Sequence, residues 1–490
     1  MIRRLLIANR GEIAVRIART AREMGISPVG VFAESDAGGF HLRTMERIVS
    51  LGPGPPSDTY LSIPRLLEAA QSGGADAVHP GYGFLSENAA FARAVELAGL
   101  TWVGPSAEAI DEMGDKLRAR ARMAAAGVPV VPGSAESVAS DSRMLDQARQ
   151  IGWPVLVKAA AGGGGKGMLR VNREEELFPA LAEARRVAGA AFGDESLYLE
   201  KFFDRPRHIE FQIFGDAAGS VLHLFDRECS VQRRHQKIVE ETPSPALDAP
   251  LRRRMGEAAV EAARAVRYVG AGTVEFLLDD RRNFYFLEMN TRLQVEHPIT
   301  EETLGIDLVR SQLEVAGGGR IPDGWARLTP RGHAIEARLY AEDPVEFLPR
   351  SGEILDYVEP SGPGIRVDSG VARGSRVGLE YDPLLAKLVS AAPDRPAAIQ
   401  RMLRAAKDWV VLGVETNLPL LRAVLESDSF GSGRYATDLV PSLLLDGPPA
   451  PPPAAWIAAA LAMAASSPAE TGPAGPPDPW NEPSGWRGGA

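Results

Sequence analysis

Four consecutive glycines, Gly162 to Gly165, lie within KAAAGGGGKGM (158–168) and limit what this part of the chain can form. A helix is disfavoured, because glycine costs about 1 kcal/mol against alanine in a helix interior. The flanks have strand chemistry: Trp153-Pro-Val-Leu-Val-Lys158 before and Met168-Leu-Arg-Val171 after. The stretch also fails as the common strand–loop–helix phosphate loop. That pattern needs a glycine at 160, where Ala160 stands, and a hydroxyl at 167, where Gly167 stands. What remains is a glycine loop between two strands. Such a loop can close over a nucleotide and offer backbone N–H groups to its phosphates, with no Cβ in the way. An ordinary hairpin turn is the alternative, although turns rarely use four glycines flanked by lysines.

The chain has 490 residues, enough for three domains at roughly 150 residues each. Hydrophobic residues make up 45% and charged residues 24%, the balance of a soluble globular protein. A net charge of −10 gives no nucleic-acid signature. The single Cys229 excludes a disulfide framework and fits a reducing cytoplasm. The opening MIRRLLIANR is too short in apolar residues for a signal peptide, and the run 454–465 is too short to span a membrane. No nucleic-acid or membrane partner is expected.

Residues 1–110 alternate strand and helix. Ile2–Ala8, Pro28–Ala33, Ala75–Val78 and Thr101–Val103 read as strands. Gly11–Met24 reads as a helix with Ile13, Ile17, Ala21 and Met24 on one face and Gly25 just past its end. This is a Rossmann-like half, but ANRGEIA follows its first strand where a dinucleotide fingerprint would stand, so the fold alone implies no dinucleotide. Residues 111–205 hold Lys116, Lys158 and the glycine loop; 206–330 are strand-rich; 331–446 mix short strands with a helix near Pro396–Trp409. From 447 the composition turns Pro/Gly/Ala-rich around an alanine-rich helix, a linker pattern.

The most informative stretch is NFYFLEMNTRLQVEHPIT (283–300). Period-2 alternation puts Phe284, Phe286, Glu288 and Asn290 on one face, and Arg292, Gln294 and Glu296 continue it if the chain stays extended. Upstream, GTVEFLLDD reads as a second strand carrying Glu275. Two carboxylates and an amide oxygen on neighbouring strands form a hard oxygen set suited to Mg²⁺ with nucleotide phosphates; a solvated sheet face is the alternative. The segment DRECSVQRRHQKIVEE (226–241) gathers Arg227, Arg233, Arg234, His235 and Lys237 in an acidic protein, which reads as an anion site or as a surface charge run. His223, within VLHLF, reads as a buried histidine, and Cys229 as structural.

Five motifs in order, LIANRGEIAVRI, HPGYGFLSEN, KAAAGGGGKGM, DRECSVQRRHQK and EMNTRLQVEHPITE, closely resemble the biotin carboxylase component of biotin-dependent carboxylases, across about residues 1–445. The resemblance implies an α/β protein with α+β elements: an N-terminal Rossmann-like domain (1–110), an ATP-grasp domain (111–330) with a mobile glycine-rich lid at about 131–205, a C-terminal biotin carboxylase domain (331–446) and a linker tail (447–490). It implies that Lys116, Lys158 and His208 contact ATP, with Gly164 and Gly165 closing over its phosphates. Glu200, Lys201 and Phe203 would line the adenine pocket, largely through backbone, and His235 would reach the ribose or phosphates. Glu275, Glu288 and Asn290 would hold Mg²⁺ or Mn²⁺. Lys237, Arg292, Gln294 and Val295 would bind bicarbonate, Glu296 would be the general base, and Arg338 with Tyr82 would meet biotin. The lid residue Lys166 stands where the family often has arginine, which removes the possibility of a bidentate fork.

The implied reaction is ATP-dependent carboxylation of biotin on a carrier protein, the first half-reaction of an acyl-CoA carboxylase. The alternatives are the matching part of a pyruvate carboxylase-type enzyme and an inactive ATP-binding scaffold. A carrier protein or domain, a carboxyltransferase and a homodimer or larger complex are the implied partners. No lysine follows Lys407, so biotin is expected to come from outside these 490 residues. The tail, ending DPWNEPSGWRGGA, resembles the approach to a further region in longer subunits of the family.

Overall fold

Apolar runs buried on both faces build the first sheet. A computed structural model describes residues 2–134, 140–159, 168–443 and 453–466. Strands β1 (Arg4–Ile7), β2 (Ser27–Phe32), β3 (Arg47–Ser50), β4 (Ala77–His79) and β5 (Thr101–Trp102) pair in parallel in the order β3-β2-β1-β4-β5. In β1, Leu5 and Ile7 pack with Ile13 and Ile17 of helix α1 (Gly11–Glu23). Leu6 points the other way, towards α2 (Ile63–Gly73), α3 (Ala89–Leu97) and α4 (Ala107–Gly114). That two-sided covering is what an all-parallel sheet requires, and it gives the expected Rossmann-like half.

Helix α5 (Lys116–Ala125) starts at Asp115, whose carboxylate accepts from the backbone N–H groups of Leu117 and Arg118 at 3.0 and 2.9 Å. A cap of this kind contributes about 1 kcal/mol. Beyond it lie α6 (Asp141–Ile151), β6 (Val155–Ala159), β7 (Leu169–Val171), α7 (Leu177–Phe192) and β8 (Leu197–Lys201). The strands form a three-stranded antiparallel sheet, β7-β6-β8. The two strands expected around the glycine loop are thus β6 and β7. Gly164, Gly165 and Lys166 lie outside the described residues, as does part of the expected lid.

The largest sheet carries the polar constellation. The chain continues through β9 (Arg207–Gly215), β10 (Val221–Arg233), β11 (Gln236–Thr242), α8 (Ala249–Ala265), β12 (Gly270–Leu278), β13 (Phe284–Asn290), α9 (His297–Leu304), α10 (Leu308–Ala316) and β14 (His333–Tyr340). Then follow β15 (Gly352–Glu353), β16 (Asp356–Val358), β17 (Ile365–Ser369), β18 (Arg376–Val377), β19 (Leu384–Ala392), α11 (Arg395–Asp408) and β20 (Val410–Leu412). Eight of these strands form one antiparallel sheet, β13-β12-β9-β10-β11-β14-β19-β17. Two short ribbons, β15/β18 and β16/β20, complete the strand set. Residues Met1–Leu445 form one unit and Asp446–Ala490 a second. The described part of the second is the helix Pro453–Ser466, which exposes Trp456, Ile457 and Leu461.

The face expected for residues 284–296 is corrected in two places. A bulge shifts the β12/β13 register, so that Phe286 pairs with Phe276 but Glu288 pairs with Glu275. Phe284 and Phe286 therefore point into the apolar core, while Glu288 and Asn290 share the opposite face with Glu275. One extra residue lets a single strand serve both core and site. Extended structure also stops at Asn290; Arg292, Gln294 and Glu296 lie on an irregular connection that leads into α9.

Glu241 ties the far side of β11 to its surroundings. Its carboxylate binds His333 at 2.6 Å, Arg395 at 2.6 and 2.9 Å, and the Tyr435 hydroxyl. Burial acts to raise its pKa, but His333 and Arg395 prevail and bring it to about 2. Its contribution is therefore present above the ordinary carboxylate range and is lost as pH falls towards 2, a loss of roughly 3 kcal/mol. Glu241→Gln is expected to remove that step from the acid limb of a stability-against-pH curve measured by denaturant unfolding.

Candidate active site

Strand alternation brings three carboxylates to one ammonium. In β9, His208, Glu210 and Gln212 alternate with the apolar Ile209, Phe211 and Ile213. In β11, the Lys237 ammonium donates to Glu210, to Glu275 at 2.6 Å and to Glu296 at 2.8 Å. Burial acts to lower the Lys237 pKa, yet these three charges hold it well above the usual lysine range. Glu296 is fully buried, and its second oxygen accepts from Arg338 at 2.9 Å. Against the penalty of burial, Lys237 and then Arg338 hold the Glu296 carboxyl well below its ordinary value.

Glu275 is a second focus. Besides Lys237, it accepts from the amides of Asn290 at 2.8 Å and Gln294 at 3.2 Å. His208 lies 2.7 Å from its other oxygen, within ion-pair range but without hydrogen-bond alignment. Burial opposes ionisation of both; Lys237 and His208 nevertheless depress Glu275, and Glu275 raises His208. Arg292 donates to the Asn290 oxygen at 2.9 Å, to Gln294 at 3.1 Å and to Glu87 at 2.9 Å. The Val295 carbonyl accepts from the fully buried Lys387 at 2.8 Å. Lys387 lies 3.3 Å from Glu12, which in turn accepts from the Tyr82 hydroxyl.

A neighbouring group surrounds Glu200. Lys158 and Arg120 donate to its two oxygens at 2.5 and 3.3 Å. Lys116, the first residue of α5, has its pKa lowered by burial and then by the Lys158 charge. Lys201 instead turns its ammonium to the carbonyls of Gly152 and Trp153 at 2.9 and 2.8 Å, and Phe203 stacks on Tyr285 at 5.1 Å.

The basic segment 226–241 does not form one anion cluster. Arg227 is fully buried and donates to Glu210, Gln212, Thr300 and Thr273. Arg233 pairs with Glu342. Arg234 and His235 are the two positive-φ residues of the exposed β10–β11 turn. Of these five, Lys237 alone reaches Glu275 and Glu296, and Arg227 meets Glu210 from the buried side; alternation and the turn send the others elsewhere. Sequence reasoning does not single out Glu87, Glu210 or Glu240, although the alternation of β9 points to Glu210.

Three family models match the chain: Biotin carboxylase, N-terminal domain over residues 1–110; Carbamoyl-phosphate synthase L chain, ATP binding domain over 115–323; and Biotin carboxylase C-terminal domain over 336–442. A biotin carboxylase of Halalkalibacterium halodurans is 48% identical over 440 residues, 90% of this chain and 97% of the relative. The chain belongs to the biotin carboxylase family. It is thus related to ATP-dependent ligases with an ATP-grasp fold. The mitochondrial alpha subunit of rat methylcrotonoyl-CoA carboxylase is 47% identical over 90% of this chain, which spans 62% of that longer relative. A pyruvate carboxylase subunit of Methanothermobacter thermautotrophicus is also 47% identical, covering 90% of each chain. Among solved structures, the biotin carboxylase domain dimer of Hydrogenobacter thermophilus 2-oxoglutarate carboxylase, with MgADP, ADP and bicarbonate, superposes with a TM-score of 0.87 at 42% identity, covering 90% of this chain and 97% of that one.

The donor set fits the divalent cation expected of this family. Glu275 and Glu288 are direct cross-strand partners, an arrangement that repels without a cation between them. Glu288 is open to solvent and has no hydrogen-bond or ion-pair partner among the described residues. The dense protein around it, and then the Glu275 charge, push its carboxyl up. Glu288→Ala is expected to raise the Mg²⁺ or Mn²⁺ concentration needed for half-maximal activity by at least about 10-fold, with partial rescue at high metal. Unchanged activity at limiting metal would disprove this role.

Proposed function

We propose that this chain carboxylates biotin with bicarbonate and ATP through carboxyphosphate, the biotin arriving on a carrier outside these 490 residues. The observation that carries this reading is Glu296, buried and held between Lys237 at 2.8 Å and Arg338 at 2.9 Å. Lys116, Lys158 and His208 take the nucleotide, with Glu200, Lys201 and Phe203 towards its adenine and His235 towards its ribose. Mg²⁺ or Mn²⁺, when bound by Glu275, Glu288 and Asn290, neutralises triphosphate charge and orients the γ-phosphoryl group. Arg292, Gln294, the Val295 backbone and Lys237 receive bicarbonate.

Basicity then follows from the ion pairs. While Lys237 and Arg338 both hold Glu296, its depressed pKa makes it a weak base. Bicarbonate competes for Lys237, and the biotin ureido oxygen competes for Arg338. Each arrival loosens one hold on Glu296 and raises its affinity for the bicarbonate proton. Once the γ-phosphoryl group has moved to bicarbonate, carboxyphosphate separates into CO₂ and phosphate, and phosphate takes the biotin N1 proton. Arg338 meets the charge that develops on the ureido oxygen, an oxyanion-type contact worth about 3–4 kcal/mol. Tyr82 closes the biotin side through Glu12.

The carboxyl acceptor is chosen by a separate transferase, in keeping with acyl-CoA and pyruvate carboxylase relatives at equal identity. We place the reaction in the cytoplasm, with a carrier, a transferase and a second copy of this chain as partners. The test is bicarbonate-dependent ATP hydrolysis with and without free biotin, together with the intact mass of protein made alongside an active biotin ligase. ATP cleavage that needs bicarbonate, stimulation by biotin and an unmodified mass are expected. Failure to carboxylate both free biotin and a supplied carrier would overturn the reading.

A further inference from the structure

Beneath Arg338 lie two buried carboxylates that the reaction described above does not use. Glu240 of β11 and Glu336 of β14 are register partners in an antiparallel pair, so their side chains leave the same face of the sheet. Both are completely buried. Neither makes a hydrogen bond through either carboxyl oxygen among the described residues. Arg338 lies two residues beyond Glu336 on that face. Its guanidinium is 2.6 Å from Glu240, in ion-pair range though not aligned as a hydrogen bond, and 2.9 Å from Glu296. Ile299 of α9 packs with Ala334 and Val389 and helps to close this region from water. The charged and titratable groups that face the pair are Arg338 and Tyr340 on β14, Lys387 on β19, Lys237 on β11, Cys229 on β10 and Glu296 ahead of α9.

We propose that Glu240 and Glu336 hold a single proton between them and position Arg338: Glu240 carries the charge that holds the guanidinium, and Glu336 stays neutral. Two adjacent buried carboxylates cannot both ionise without a large penalty, and of the two only Glu240 has a cation within ion-pair range among the described residues. The arrangement gives Arg338 two carboxylate partners of different fate. Glu296 loses its charge when it takes the bicarbonate proton, whereas Glu240 keeps its own. The guanidinium, charged in any case, therefore stays in place when biotin's ureido oxygen needs it. The proposal rests on the reading of Arg338 as the biotin-facing group, but its first test does not.

That test is stability against pH. Burial raises both carboxyls, Glu240 to about 7 and Glu336 well above the ordinary carboxylate range, so the one-proton form of the pair is the one present above about pH 7. A raised carboxyl means that folding takes up a proton, so stability falls as pH climbs from the ordinary carboxylate range through the raised value. Glu336→Gln keeps the shape and removes one titrating member. Between pH 5 and 8 its melting temperature is expected to gain steadily on that of wild type; a difference constant across that range overturns the shared proton. Glu240→Asp keeps the charge but shortens its reach. Its turnover with free biotin is expected to fall about 100-fold, the cost of roughly 1 Å of misplacement, with the biotin KM changed far less. Turnover equal to wild type would remove Glu240 from the positioning of Arg338. If wild type itself fails to carboxylate biotin, the functional reading fails, while the stability result still decides the proton pair.

Discussion

Glu296→Gln is expected to lower biotin carboxylation by about 10²- to 10⁴-fold while the chain still folds and binds ATP. The amide keeps the size of the side chain, but its single oxygen can take the place of only one of the two that accept from Lys237 and Arg338, and its NH₂ group faces the other cation. It cannot take a proton from bicarbonate. The group around Lys116, Lys158 and Glu200, proposed above to take the nucleotide, makes no contact with Glu296 in the bonds described above, so ATP affinity should change little. Equilibrium binding of ATP beside a carboxylation assay separates the two effects. Near-wild-type turnover would remove Glu296 from the proton transfer; loss of ATP binding would mean that the two groups are coupled more tightly than their bonds indicate. The same reasoning gives a pH expectation. Glu296 is depressed in the folded state, so its stabilising contribution is present above the ordinary carboxylate range and is lost as pH falls towards its folded value. Glutamine abolishes that dependence.

How much of this was legible in the sequence depended on whether a signal was local. The parallel sheet was legible because Leu5, Leu6 and Ile7 form an unbroken apolar run and Gly11–Glu23 repeats its apolar face at helical spacing. The strands on either side of the glycine loop were legible for the same reason. The polarity of residues 288–296 was legible, but their faces were not. The β12/β13 bulge adds one residue, and period-2 reasoning then places Phe286 and Glu288 together when they point apart. Extending the strand past Asn290 failed because the chain turns there to bring Glu296 within reach of both Lys237 and Arg338. Those two belong to neighbouring strands, β11 and β14, about a hundred positions apart in the chain. The basic run 226–241 read as one patch because composition cannot tell a buried arginine from an exposed one. Pairing with strands far away in sequence assigns Arg227 to the interior and His235 to a turn.

Arg227 carries the largest expected effect on stability. Its guanidinium is completely buried and donates to Glu210 at 2.5 Å, to Gln212 at 2.7 Å, to Thr300 at 2.9 Å and to Thr273 at 3.0 Å. It thereby joins β9, β10, β12 and α9 behind the Lys237 cluster. Arg227→Met fills similar space but leaves four acceptors without their donor and Glu210 with Lys237 as its remaining cation. Breaking a buried ion pair from one side costs roughly 3–5 kcal/mol. Burial already raises the Glu210 carboxyl, and Arg227 is the main charge that opposes this. Without it the folded value climbs further, so the variant should lose more stability at pH 8 than at pH 5. Denaturant unfolding at both pH values measures this. Adding Glu210→Gln removes the unpaired charge, so the double variant should recover part of the loss and lose its extra sensitivity to alkaline pH. If Arg227→Met costs less than about 1 kcal/mol at both pH values, the buried network is not what holds the four elements together. A large loss without the pH difference would assign the role of Arg227 to its neutral hydrogen bonds and not to its charge.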